Sequence, residues 1–134
     1  MLTDLFGTHL DQSGLVIGIG GLFPGGTVNT MVPRYTPWFP PSNYLEDFSL
    51  GEPRSRRHFI HEMTHVLQSQ NGNVNWIDGP FYALKGQYGD RSVYQYDRDR
   101  LGQPLWTFNF EQQAEIAAQY YIGDFNQDEM MRAA

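Results

Sequence analysis

The sequence contains no cysteine, and that absence removes three kinds of chemistry at once. No disulfide can staple the fold, no thiolate can hold a metal, and no cysteine nucleophile is available. Any bound metal must therefore sit on His, Asp or Glu. Positive charge is also scarce: 9 Lys and Arg face 15 Asp and Glu, for a formal net charge of −6. Phosphate backbones and anionic bilayers need clustered cations, so neither nucleic acid nor membrane is expected as the main partner. One basic cluster, Arg54, Arg56 and Arg57, reads as a solvated helix surface. Long apolar runs are missing too. None approaches the roughly 18 residues that span a bilayer, and Met1 to Leu10 lacks the basic stretch and apolar run of a signal peptide. A soluble protein with no transmembrane segment is the expectation.

What is present points to a compact fold. The 134 residues suit one domain spanning 1–134, and a 40% hydrophobic content supplies a core for it. Leu2 to Leu10 can form a short helical turn. Leu15 to Ile19 reads as a buried strand, with Thr27 to Val32 as its hairpin partner. Gly18-Ile19-Gly20-Gly21 is no dinucleotide loop, because the third glycine of that pattern would fall on Phe23. Pro33, Pro37, Pro40 and Pro41 impose an extended, irregular stretch; its aromatics Tyr35, Trp38, Phe39, Tyr44 and Phe48 suggest that it packs down.

Two helices are well signalled. The first covers roughly Pro53 to Gln70, with Ser49 and Glu52 spaced as a capping box, Pro53 at the first position and Asn71-Gly72 as the stop. Its apolar stripe is Phe59, Ile60, Met63, Val66 and Leu67. The second covers roughly Phe110 to Ile122, started by Asn109 with Gln112 and ended by Gly123. Phe110, Ala114, Ala117, Ala118 and Tyr121 form its apolar face. Residues 73–106 between them read as a long excursion, with a short helix near Pro80 to Leu84; such a loop in a small domain is usually functional. The polar tail from Asn126 to Ala134 is expected to fray.

The chemistry lies on the two helices. Residues four apart on a helix are about 6 Å apart along its axis and about 40° apart around it. His61 and His65 therefore project side by side and can both reach one Zn²⁺ at about 2.0–2.1 Å. Glu62, the next residue along, points to the rim of such a site, where it can act as general base on an activated water. A catalytic zinc usually takes three protein ligands. No histidine follows His65, so the third must be a carboxylate. Glu111 and Glu115 lie i, i+4 on the second helix, a spacing at which two exposed glutamates repel. Facing an ion, one would bind it and the other would accept the free ring N–H of a ligand histidine; either order satisfies the spacing.

Other residues carry weaker signals. His58 shares the helical face of His65 and can touch substrate, although an ordinary surface histidine is the plainer reading. His9 reads as a loop residue. Tyr94 and Tyr96 can place a phenol over an oxyanion or simply pack in a Tyr-rich loop. Trp76 and Trp106 read as packing residues.

His61-Glu62-Met63-Thr64-His65 with Glu111-Gln112-Gln113-Ala114-Glu115 resembles the HExxH…ExxA(D/E) arrangement of gluzincin-type metallopeptidases. The resemblance implies Glu111 as third zinc ligand and Glu115 as hydrogen-bond partner of a ligand histidine, with Glu where Asp is common. More narrowly, Phe59 to Gln68, Tyr94-Gln95-Tyr96-Asp97 and Phe110 to Ile116, with Leu45-Glu46-Asp47-Phe48 upstream, resemble small bacterial zincin-like proteins called vgr-related, linked to Rhs and type VI secretion systems. That resemblance covers roughly residues 45–122. It implies a minimal zincin-like α+β domain, a small N-terminal sheet packed on the HExxH helix with the glutamate-bearing helix beside it. It implies a zinc metallopeptidase acting on a protein or peptide substrate, as an effector or toxin with secretion-system or immunity partners. Such a protein would be cytoplasmic in its producing bacterium until a specialised system exports it. An amidase on cell-wall peptide and a non-catalytic zinc-containing binding module are the alternatives.

Overall fold

A computed structural model describes residues 1–20, 36–72 and 91–133. The architecture is mixed and mostly helical. Helix α1 (Leu2–Phe6) is followed by a two-stranded sheet, β1 (Gly18–Ile19) and β2 (Trp38–Phe39). After a 3₁₀ turn at Phe48–Leu50 comes α2 (Pro53–Gln70); three 3₁₀ turns at Arg91–Tyr94, Arg98–Arg100 and Leu105–Thr107 lead to α3 (Phe110–Ile122) and α4 (Gln127–Ala133).

Helix α2 starts and stops where expected, but its entry differs from the expected box. Pro53 occupies the first turn and Glu52, as N-cap, makes no side-chain cap bond. Ser49 belongs instead to the preceding 3₁₀ turn, where its N–H and hydroxyl both donate to Asp47 Oδ1 at 2.9 and 2.6 Å. Gly72 adopts φ 85° beyond the end of the helix, a conformation that glycine tolerates best. At α3 the expected box is complete: Asn109 accepts from Gln112 N–H at 2.8 Å while Gln112 Oε1 accepts from Asn109 N–H at 3.0 Å.

The sheet brings together two strands that the sequence did not pair. β1 pairs with β2 in parallel, Gly18 opposite Trp38 and Ile19 opposite Phe39. A Cβ at residue 18 would run into the Trp38 ring, so glycine is what lets the two strands approach. Thr27 to Val32 lies outside the described residues, as do Trp76 and the segment Pro80 to Leu84. From residue 36 onward the proline-rich stretch packs down: Pro37 and Phe39 are fully buried, Phe39 lies 4.9 Å from Phe48, and Phe48 stacks on Phe59 at 4.3 Å; Pro33 and Tyr35 lie outside the described residues.

Two cores result, with α3 between them. The first gathers Phe6, Leu10, Phe39, Phe48 and Ala118 around Phe59, Ile60, Met63 and Val66 of α2. The second gathers Leu101, Phe108, Ile116 and Phe125, with Tyr96 and Met130 at its edge. This explains why Ile116, outside the expected apolar face, is buried: α3 packs on two sides. Ala114 and Ala118 are fully buried, and their small side chains allow the close approach of α2. Covered in this way, α2 is buried all round from Phe59 to Val66, polar residues included. Gln70 closes the arrangement by bonding Asp11 through both backbone groups, at 2.9 and 2.8 Å.

The tail does not fray. Asn126 Oδ1 accepts from Glu129 N–H at 2.9 Å, and Glu129 Oε2 accepts from Asn126 N–H at 2.9 Å. The spacing of Asn126 and Glu129 is itself a capping box, a signal present in the sequence. Arg98 fastens this turn by a 3.2 Å ion pair to Glu129.

Candidate metal centre

Packing α3 against α2 brings its first turn over the histidines. The Nε2 atoms of His61 and His65 are 3.2 Å apart. Glu111 Oε2 lies 3.1 Å from each of them. The three donors thus form a nearly equilateral triangle. A tetrahedral ion with bonds of about 2.0–2.1 Å holds its donors about 3.3 Å apart, so the triangle already has the size that a metal ion requires. His61, His65 and Glu111 form a group able to hold a metal ion.

The electrostatics match that geometry. Burial pulls the His65 pKa down, but the hydrogen bond and charge of Glu111, with help from Glu62 and Gln68, lift it to about 9. Burial pushes Glu111 up, yet its bonds to His61 and His65 hold it well below the usual carboxylate range. In the metal-free protein His65 and Glu111 therefore form a partly buried ion pair where a cation would sit.

Each histidine is oriented from behind. Gln68 Nε2 donates to Phe110 O and Gln113 Oε1, both at 3.1 Å, which leaves Gln68 Oε1 facing His65 Nδ1 at 2.8 Å. That acceptor keeps the proton on Nδ1 and turns the Nε2 lone pair of a neutral ring toward the triangle. On His61 the matching role falls to Glu115, whose Oε2 is 3.4 Å from Nδ1. Glu115 Oε1 is ion-paired with Arg57 and also accepts from Gln119 Nε2 at 3.2 Å. The two glutamates are thereby sorted: Glu111 faces both Nε2 atoms, while Glu115 is pinned on the far side of His61.

The remaining candidates fall variously around this centre. Glu62 is buried but outside the triangle; Oε1 lies 3.9 Å from His58 Nε2. The Tyr94 ring sits 5.8 Å from that of His61. Tyr96 stands farther off, in the second core, where its phenol donates to Gln119 Oε1 and burial pushes its pKa up to about 12. His58 is no ordinary surface histidine: its ring meets Phe39 edge-on at 5.6 Å, and burial lowers its pKa. His9 is exposed in the turn after α1. Trp106 is 82% exposed rather than packed, because the 3₁₀ turn that carries it directs it outward.

Arg57, Gln68 and Gln119 escaped the sequence reading, which took Arg57 for solvated surface. Their signal is spacing. Gln68 lies three residues after His65 and Gln119 four after Glu115, each on the face of the residue that it positions, while Arg57 lies four before His61 and so faces Glu115 across the helix pair.

Fold and site together define a mixed, mostly helical domain built around a His/His/Glu group of metal-binding geometry. No family model matches the chain. In sequence it is 36% identical over 79 residues to the type VI secretion system spike protein VgrG2b of Pseudomonas aeruginosa, a match covering 58% of this chain and 8% of the spike protein. In structure it is similar to the effector domain of Pseudomonas aeruginosa VgrG2b, with a TM-score of 0.74 and 29% identity over 98% of this chain and 73% of that domain.

Proposed function

We propose that this chain is an effector of a type VI secretion system and acts as a zinc-dependent hydrolase of amide bonds, a metallopeptidase. The similarity to the VgrG2b effector domain supports the secretion context. The observation that carries the chemistry is the triangle of His61 Nε2, His65 Nε2 and Glu111 Oε2, with edges of 3.1–3.2 Å. A zinc ion bound there would supply Lewis acidity and bring a water's pKa toward neutrality.

The chain's own groups supply the rest. Glu62, next to His61 in sequence and buried beside His58, accepts the proton of the attacking water and returns it to the departing amine. Gln68 and Glu115 hold the two imidazoles in the required tautomers. Tyr94, whose ring lies 5.8 Å from that of His61, would steady negative charge on the carbonyl oxygen. Tyr96 acts one step removed, through Gln119 and Glu115. The effector reading implies a protein or peptide target and an immunity partner in the producing cell. No helix among the described residues is long and apolar enough to cross a membrane, and the similarity to VgrG2b supports export through the secretion apparatus.

Elemental analysis of the purified chain, with digestion of casein and of purified peptidoglycan, tests this reading. One zinc per chain and cleavage of casein, abolished in Glu62→Gln with zinc retained, is the expected result. Release of peptide from peptidoglycan alone would redirect the reading to a cell-wall amidase. Zinc with neither activity would overturn the enzyme and leave a metal-containing binding module.

A further inference from the structure

Beside the triangle lies a cavity of about 570 Å³, bordered by Arg54, Ser55, Arg57 and His58 from α2, Asn43 from the preceding loop and Glu115 from α3. The one carboxylate among its described lining residues, Glu115, is already neutralised by Arg57. Arg54 is exposed and makes no ion pair among the described residues. In a chain with 9 cationic residues and a net charge of −6, Arg54 leaves an uncompensated positive charge at a cavity next to the candidate centre. The cavity shares His58 and Glu115 with the surroundings of the centre: His58 lies 3.9 Å from Glu62, and Glu115 lies 3.4 Å from His61.

The helix sets the register. Arg54, His58, His61 and His65 follow spacings of four, three and four residues, so they lie on one face of α2. Arg54 stands seven residues before His61, about 10 Å along the axis. An extended peptide covers about 3.3–3.6 Å per residue, so a group held at Arg54 belongs to a residue about three positions from the bond at the triangle. A guanidinium at the mouth of a polar cavity selects a carboxylate by paired hydrogen bonds.

We infer that this cavity is a subsite for a carboxylate of the peptide substrate, held by Arg54 about three residues from the bond that is cut. The inference rests on the hydrolase reading for its register but is tested by binding. Labelled decapeptide pools with amidated ends, carrying one Glu or one Gln fixed at each position in turn, are titrated against the full Glu62→Gln chain in zinc-containing buffer and followed by fluorescence anisotropy. Matching pools end in a free carboxylate.

A Glu pool should bind about fivefold tighter than its Gln partner, the scale of an exposed ion pair. Arg54→Ala should erase the advantage and Arg54→Lys should keep part of it. An advantage confined to the free-carboxylate pools, and lost in Arg54→Ala, identifies the chain end as the group held and equally supports the subsite. Equal binding of all pools, or an acid preference that survives Arg54→Ala, overturns it. Acid-selective, Arg54-dependent binding with no cleavage of any pool by the unsubstituted chain would keep the subsite and sink the hydrolase. Cleavage without acid preference would do the reverse.

Discussion

Glu115→Gln separates the two glutamates of α3 most directly. In the structure Glu115 has three partners: Arg57, Gln119, and Nδ1 of His61 at 3.4 Å. The substitution keeps the size of the side chain but removes its charge, so the Arg57 pair is lost and His61 Nδ1 exchanges a carboxylate acceptor for a weaker, neutral amide oxygen. Removal of such outer partners typically weakens metal binding about 10- to 100-fold. Because Arg57 already occupies the other carboxylate oxygen, the lower end, about tenfold or about 1.4 kcal/mol, is expected here. Zinc affinity is read by competition with a chromophoric chelator, with far-UV circular dichroism as the check that α2 and α3 persist. Glu111→Ala in parallel should abolish measurable competition, since it removes one of three donors. The reasoning is refuted if Glu115→Gln binds zinc as tightly as the unsubstituted chain. It is equally refuted if Glu115→Gln fails as completely as Glu111→Ala, which would make Glu115 a ligand.

Three further outcomes follow from the structure. His65, lifted to about 9 from an ordinary value near 6.5, stabilises the metal-free fold fully below about pH 6.5 and loses that contribution as pH rises through about 9. Glu111, held low, contributes above about pH 4.5 and ceases to as pH falls. Thermal melts of the metal-free chain should therefore peak between these limits, while the extra stability conferred by zinc grows with pH, because binding must expel the His65 proton; a flat metal-free profile would contradict the His65–Glu111 ion pair. Met63→Ala, at a fully buried position of α2, should cost about 2–5 kcal/mol in urea denaturation, and a loss under about 1 kcal/mol would mean that the first core is not packed as described. Asn126→Ala should cost about 1 kcal/mol by removing the cap of α4; an unchanged midpoint would show that the Arg98 pairs hold this turn alone.

The sequence made the two long helices legible because their signals are local. Pro53, Gly72, the Asn109–Gln112 box and Gly123 act within a turn of their own positions, and the i, i+4 spacing of His61 and His65 already places both rings on one face. That Glu111 meets both Nε2 atoms is not local. It depends on α3 lying across α2 through alanine contacts some 50 residues apart in the chain, so spacing alone left Glu111 and Glu115 interchangeable. The β1–β2 pairing was hidden for the same reason: proline-rich composition marks extended backbone without naming its partner. Arg57 was misread because a cation in the first turns of a helix looks like surface until the carboxylate opposite is known. The cap of α4, by contrast, was written plainly in Asn126 and Glu129 and was outweighed by the polarity around it.

The division of the donor triangle between two helices ties ion capture to tertiary assembly. A lone α2 would offer a cation two imidazoles, enough for loose and exchangeable attachment. Only docking of α3 adds the carboxylate, and with it the Gln113 contact that steadies Gln68 behind His65. Unfolded or partly folded, the chain would carry no competent centre, however much metal surrounded it. Once docked, the ion would act as a clasp at the seam, so chelation should loosen the helix pair and lower protection from hydrogen exchange along their shared face before it disturbs the aromatic cluster around Phe48.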